Sequence, residues 1–304
     1  MADHSTTYKV PEDQKKLFQE EGYMILPGII PDDMVQMLRE ECSYFLGYYD
    51  AEIDAAGETT SGISHRGQRY FIPHRYRLSN RLYQFLFSSL MAEVATAALG
   101  DTVYLFNEQR VVKGPEKGMK FSWHQDSGYI KFRDPETKHK PYLTCWCTLD
   151  DVSEANGTVY LLPHSRGGTK AGIIDHTREE GTNDLIGYTG DDPGEPMVVP
   201  AGSVVAFSSV NFHRSGPNTS PNMRRVYLAQ YSSEPLMKGD GSRVWAIATP
   251  FMNDGRIVYD KASDTAANNG GKPGVLAGDL FGPDGKPRNF EEGKPAGPKG
   301  TMGG

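Results

Sequence analysis

The 304-residue sequence predicts a mainly β protein, a sandwich or jelly roll, with its helices gathered at the N-terminus. Two observations carry that reading. Apolar residues follow a helical period up to about residue 100, and from residue 101 the period falls to two. Beyond that point, seven short strand-like runs are separated by Gly, Pro, Asn and Asp, the punctuation of turns between antiparallel strands.

"PEDQKKLFQEEG" predicts a first short helix, with Pro11 in its first turn and Gly22 at its end. "YMILPG" follows as a short strand. "PDDMVQMLREECSYFLG" predicts a second helix: Pro31 and two acidic residues suit its start, and Met34, Leu38, Cys42 and Phe45 share one face. Residues 51–78 read as irregular and polar, closing on the basic-aromatic run "HRGQRYFIPHRYRLS". "SNRLYQFLFSSLMAEVATAALG" predicts a third helix with Ser79 as its cap and Gly100 as its terminator. The strands are then "TVYLFNEQRVVK", "GMKFSWHQD", "YLTCWCTLD", "GTVYLLP", "EPMVVP", "GSVVAFS" and "RRVYLAQYS". Segment 165–196 is long, polar and glycine-rich, which in a compact domain marks a functional lid or a disordered insert. Residues 1–266 read as one domain, helical over 11–100 and β over 101–235. From 267 a tail rich in Gly, Pro and Lys is expected to be extended or mobile.

Composition narrows the function. Hydrophobic residues make up 38% and charged residues 23%, as in a globular protein with a real core. A net charge of −7 argues against sequence-independent binding to nucleic acid, which needs a basic stripe. No apolar run reaches the ~18 residues of a membrane span. The polar start "MADHSTTYKVPEDQKK" lacks a signal-like apolar stretch. Cys42, Cys145 and Cys147 form no disulfide framework or zinc ribbon. Cys145 and Cys147 alternate along a strand and should point the same way, as packing residues. A cytoplasmic setting is expected, with a small-molecule partner, no nucleic acid, no membrane, and a monomer or homodimer.

The chemistry starts at "WHQD". His124 and Asp126 stand two apart, and a strand end there would point both at one spot. A third ligand is supplied by His213, which follows the apolar strand "GSVVAFS". Two histidines and one carboxylate on one side of an iron leave positions open, the facial triad of non-haem Fe(II) oxygenases. Arg224 comes eleven residues after His213, at the start of the next strand. A 2-oxo diacid held on such an iron needs a planar, bidentate cation for its far carboxylate, which is an arginine's task. Arg225 is the alternative, and the spacing favours Arg224. The competing reading is a zinc-dependent hydrolase, or a non-catalytic cupin-like binding protein, built on the same His/Asp/His site.

Taken together, these motifs resemble the phytanoyl-CoA dioxygenase family of Fe(II)/2-oxoglutarate oxygenases over about residues 11–235. The resemblance is carried by "FQEEGYMILPGIIPDDMVQMLREE", "WHQD", "CWCTLDDVSEANGTVYLLPHSR" and "PAGSVVAFSSVNFHRSGPNTS". It implies a double-stranded β-helix core (jelly roll, cupin-like) with iron inside, held by His124, Asp126 and His213. It further implies that Arg224 pairs with the C5 carboxylate of 2-oxoglutarate and that Ser215 adds a hydroxyl there. Asn107 or Gln109 contacts the same co-substrate, and Trp146 lines its pocket. Fe(II), 2-oxoglutarate and O2 are the implied cofactors, with ascorbate as a supporting reductant. The implied reaction is oxidation of a C–H bond with release of succinate, hydroxylation first, with desaturation, epoxidation and cyclisation open through the same chemistry. In "LPHSR", His164 and Arg166 stand where the family often has glycine and histidine, so they inherit no role, and His164 reads as a surface turn residue. Some relatives have lost the aspartate and become halogenases, so Asp126 favours oxygenation. Arg69, Tyr70, His74 and Arg75 before the third helix, and Tyr129 and Phe132 after the metal pair, are expected to face the substrate.

Overall fold

The computed structural model describes residues 8–167 and 169–264, with the two-residue strands Arg288–Asn289 and Lys294–Pro295. Those four residues apart, the tail expected from 267 lies outside the described residues.

Helix α1 (Glu12–Glu21) starts directly after Pro11 and ends at Gly22, whose φ of 82° is left-handed. A Cβ at Gly22 would fall 2.2 Å from Asn211 Oδ1 and 2.4 Å from the His164 ring, so conformation and space both require glycine. Strand β1 is Tyr23–Leu26. Helix α2 (Asp32–Ala55) runs through Gly47, where the sequence predicted its end. Its buried face continues from Met34, Leu38, Cys42 and Phe45 to Ile53, and that packing outweighs the roughly 1 kcal/mol a mid-helix glycine costs. The segment read as irregular holds β2 (Thr60–Ser61), β3 (Ser64–His65) and β4 (Arg69–Pro73).

The predicted third helix is two, α3 (Leu82–Leu86) and α4 (Ser89–Leu99). Ser88 caps α4 by accepting from the Met91 N–H, while Ser79 Oγ accepts from the N–H of Leu82. Leu82, Phe85, Leu86, Phe87, Leu90, Met91 and Val94 are all buried. One unbroken helix would spread them over about two-thirds of its circumference, and the break turns both halves onto the core.

The remaining elements are β5 (Val103–Lys113), β6 (Phe121–His124), α5 (Asp126–Arg133), β7 (Leu143–Thr148), β8 (Val159–Leu161), α6 (His164–Gly167), β9 (Thr177–Arg178), β10 (Leu185–Ile186), β11 (Glu195–Pro196), β12 (Val204–Ser208), β13 (His213–Ser215), β14 (Arg224–Ser232), β15 (Thr249–Asn253) and β16 (Arg256–Ile257). The larger antiparallel sheet has the order β1-β12-β7-β14-β5-β4-β3-β2, with β15 added on β5 and β16 on β15. The smaller has the order β11-β8-β13-β6. Packed face to face, they form the jelly roll. Its sheet draws on β1 and β4 before residue 101 and on β15 after 235, so the β core is wider than 101–235.

Between the sheets lie Val111, Trp146, Val159, Leu161, Val205, Phe207, Val226 and Leu228. On the outer face of the larger sheet, Cys145, Cys147, Tyr227 and Tyr231 pack against Leu38, Phe45, Phe85 and Met91 of the helices. The two cysteines point the same way, into the helical layer. Central strands are therefore covered on both faces, which is why all six residues of β7 are buried.

Candidate metal centre

His124 is the last residue of β6 and Asp126 the first of α5, so the pair straddles a strand-to-helix boundary instead of alternating along one strand. The start of α5 also favours a carboxylate, because the helix dipole presents its positive end there. His213 opens β13 and lies directly opposite His124 in the antiparallel register. The two rings are 4.1 Å apart between centroids. Asp126 Oδ1 is 3.8 Å from His124 Nε2 and 3.5 Å from His213 Nε2. One ligand atom from each of the three residues lies within 4.8 Å of the other two, the only such cluster of His, Cys, Asp or Glu among the described residues.

Outer contacts orient all three. His124 Nδ1 meets the Ser122 carbonyl at 2.7 Å, and His213 Nδ1 meets the Asn211 carbonyl at 3.1 Å. A carbonyl only accepts, so each Nδ1 carries the proton and each Nε2 keeps its lone pair for a metal. Asp126 Oδ2 accepts from Thr144 Oγ1 at 2.6 Å and from Gln230 Nε2 at 3.0 Å. Asn107 Nδ2 in turn donates to Gln230 Oε1 at 2.8 Å. Burial, then the neighbouring His213, push the His124 imidazole well below its ordinary range. Burial also opposes ionisation of Asp126, but His213, His124 and the Thr144 hydroxyl outweigh it and hold the carboxyl at about 2. Neutral imidazoles beside an ionised carboxylate are the donor set a divalent iron requires.

Arg224 and Arg225 point to opposite faces. Arg225 turns to the helical side and pairs with Asp150 at 2.7 and 3.0 Å. Arg224 is 1% exposed and lies within the barrel. Register sets Trp146 opposite Leu228, four residues further along β14, yet the Arg224 guanidinium is 5.4 Å from the Trp146 ring. The side chain therefore reaches along the barrel toward Gln230 and the metal. Its Nη2 donates to the Gly157 carbonyl at 2.9 Å, and its buried Nε and Nη1 have no protein acceptor. Burial lowers its pKa to about 10, which leaves it cationic at neutral pH. A fixed cation with unmet donors fits the far carboxylate of a 2-oxo diacid. Ser215 lies two residues after His213, opposite Val159 of the barrel interior. Asn107 and Gln109 share the inner face of β5 with Val111.

The structure separates the residues expected to face substrate. Tyr129 stands edge-on to His124 at 5.3 Å, and its hydroxyl accepts from the Leu185 N–H. Arg69 is consumed by a bidentate, fully buried ion pair with Asp184, at 2.6 and 2.9 Å. Tyr70 turns to the helical face of β4 and donates to Asp50 of α2, and Arg75 pairs with Glu52 of α2 at 3.0 Å. Arg69 thus faces inward but is spent on Asp184, while Tyr70, of opposite parity on β4, and Arg75, beyond its end, turn to α2 and away from the metal. His74 is exposed beyond the end of β4, and Phe132 is 41% exposed, with Arg178 5.5 Å from its ring.

His164 lies half-buried against Gly22 instead of on a surface turn. Segment 165–196 carries β9, β10 and β11 and docks on the barrel through Asp184. Sequence reasoning missed Thr144 and Gln230, polar residues at inward positions of apolar strands, a pattern that itself marks a site. It also missed Phe121, whose ring lies 4.4 Å from that of His124, and Phe71, which backs Phe121 at 5.0 Å.

A jelly roll with a His-Asp-His triad and a buried, waiting arginine defines a non-haem iron, 2-oxo-acid-dependent oxygenase. A sequence model of the family "Phytanoyl-CoA dioxygenase (PhyH)" matches residues 18–226. The chain belongs to that family and is an Fe(II)/2-oxoglutarate-dependent dioxygenase. It is 22% identical over 240 residues to the peroxisomal phytanoyl-CoA dioxygenase of Rattus norvegicus, covering 73% of this chain and 68% of that one. It is 25% identical over 234 residues to methylphosphonate hydroxylase of Gimesia maris, covering 75% and 82%. Its fold is similar to that of the epimerase SnoN in complex with Fe3+, alpha ketoglutarate and nogalamycin RO, with a TM-score of 0.56, 17% identity and coverage of 82% and 96%. No described helix is long and apolar enough to cross a membrane.

Proposed function

We propose that the protein hydroxylates an unactivated C–H bond of a small organic substrate, with decarboxylation of 2-oxoglutarate to succinate. The observation that carries this reading is Arg224, a buried guanidinium with two unmet nitrogens on the inner barrel wall. A zinc hydrolase built on the same triad has no use for it. The name of the Gimesia maris relative, a hydroxylase of a small phosphonate, supports the reaction and the substrate size. Reducing conditions, as in the cytoplasm, suit Fe(II) and the three buried free thiols.

His124, Asp126 and His213 would hold the iron, which when bound would supply the dioxygen chemistry of the reaction. Thr144 and Gln230 hold Asp126 Oδ2, leaving Oδ1 for the metal. Arg224 and Ser215 fix the C5 carboxylate, and Trp146 flanks the chain of the co-substrate. Gln109 is the better of the two β5 candidates for a further contact. Asn107 already gives its amide nitrogen to Gln230, and its free atom is a buried carbonyl oxygen, which repels carboxylate. Phe121 and Tyr129, with Phe71 behind Phe121, exclude water beside His124. His74, Tyr129 and Phe132 are the substrate contacts.

Anaerobic addition of Fe(II) and 2-oxoglutarate should give a weak visible charge-transfer band, the signature of a keto acid chelated on ferrous iron. Its absence, with retained Zn(II)-dependent hydrolysis, would reject the reading. A screen of small substrates coupled to succinate formation then identifies the substrate.

A further inference from the structure

We infer that His176, carried by the long loop, is a positioning residue of the metal centre and couples docking of that loop to metal binding. The inference rests on the metal assignment above and concerns a side chain that bonds to none of the three ligands. His176 Nε2 accepts from the backbone N–H of Gln125, the residue between His124 and Asp126, at 2.9 Å. His176 Nδ1 meets the Ile174 carbonyl at 2.8 Å, so the proton sits on Nδ1 and the loop itself fixes the accepting tautomer.

The ring is 8% exposed and lies in a slot that only glycine leaves open. A Cβ on Gly128 would come within 2.2 Å of its Cε1, and a Cβ on Gly187 within 2.4 Å of its Nε2. Gly128 belongs to the first turn of α5, so the imidazole braces the chain on both sides of Asp126.

The Gln125 side chain returns the contact. Its Oε1 accepts from the Ile174 N–H at 2.8 Å, and its Nε2 donates to the carbonyls of Gly172 at 3.0 Å and Val210 at 2.7 Å. Val210 stands three residues before His213. One fully buried glutamine therefore ties the loop to the strand-helix junction that bears two ligands and to the lead-in of the third. The other end of the loop is held by the Arg69–Asp184 pair. If the loop lifts, the Gln125 amide and its own N–H lose their partners, and the spacing of the triad is no longer fixed. Linkage then makes the effect mutual: a bound metal holds the loop down.

The test uses the full chain and Co(II), whose d–d absorption reports coordination. His176→Phe keeps the ring shape and removes the acceptor. His176→Gln keeps an acceptor at similar reach. Loss of an outer partner typically weakens metal affinity about 10–100-fold, so His176→Phe should bind Co(II) that much more weakly and His176→Gln should recover most of it. Co(II) should also slow proteolysis of residues 172–187 in the wild type and fail to do so in His176→Phe. Should His176→Phe not fold, Gly187→Ala, whose Cβ would fall 2.4 Å from His176 Nε2, displaces the unaltered ring from the Gln125 N–H and should weaken Co(II) binding in the same direction. Unchanged Co(II) affinity in a variant whose loop is cut faster overturns the inference while leaving the metal site intact. A wild type that binds no Co(II) overturns the metal assignment itself.

Discussion

Replacing Arg224 with methionine should sharply weaken 2-oxoglutarate binding and leave the ligand-free fold as stable as before, or more so. The guanidinium is almost fully buried, makes one hydrogen bond, to the Gly157 carbonyl, and has two nitrogens with no acceptor. Exchanging a buried unpaired charge for an apolar side chain is neutral or stabilising by about 1–4 kcal/mol. Loss of the Gly157 contact offsets about 1 kcal/mol of that. On the binding side, two charge-assisted hydrogen bonds at roughly 1.5–3 kcal/mol each amount to about 3–6 kcal/mol. At 1.4 kcal/mol per decade, that is a loss of about 10²- to 10⁴-fold in affinity. Anaerobic calorimetric titration of the Fe(II) protein gives the affinity, and thermal unfolding of the ligand-free protein gives the stability. Arg225→Met is the control: it breaks the Asp150 pair on the helical side, so it should lose stability and keep 2-oxoglutarate. If Arg224→Met keeps affinity within about tenfold of the wild type, or if Arg225→Met is the variant that loses it, the reasoning from barrel register is refuted.

Gln230→Leu should weaken Fe(II) or Co(II) binding about 10–100-fold, read by metal titration, because it removes an orienting donor from Asp126. Tyr70→Phe should leave succinate-coupled kinetics unchanged and cost about 1 kcal/mol in denaturant unfolding, since its hydroxyl serves Asp50 and not the site. Burial lowers the pKa of His124, His139, His164 and His176 below the ordinary 6.5. Below pH 6.5 these four histidines bind more protons in the unfolded chain than in the fold. They outweigh the opposing carboxyl of Glu52, which burial raises to about 7, so stability falls as the pH drops through that range. The Tm of the metal-free protein should be level near pH 7–8 and decline toward pH 5; a Tm that rises on acidification contradicts the assignment. Asp126, held at about 2, adds its own loss only at far lower pH.

The β architecture was legible because period-two alternation and turn punctuation are local properties of the chain. Strands β5, β7, β12 and β14 fall where those patterns put them. Less legible were β13, three residues of polar sequence, and β15, which carries Pro250 beside a register shift. The set His124, Asp126, His213 and Arg224 could be picked out because each residue type is the natural donor for one part of a single iron and 2-oxo-acid assembly.

What the sequence determined by itself is thus the class of fold and the chemical identity of the site. Tertiary structure decided which neighbour faces in. Register alone sends Arg224 into the barrel and Arg225 to the helices, and parity on β4 turns Arg69 inward and Tyr70 outward. Arg69 was then claimed by Asp184, 115 residues away, and Gln125 by a loop about fifty residues on. Such partners are chosen by the closure of two sheets, and no local pattern records them.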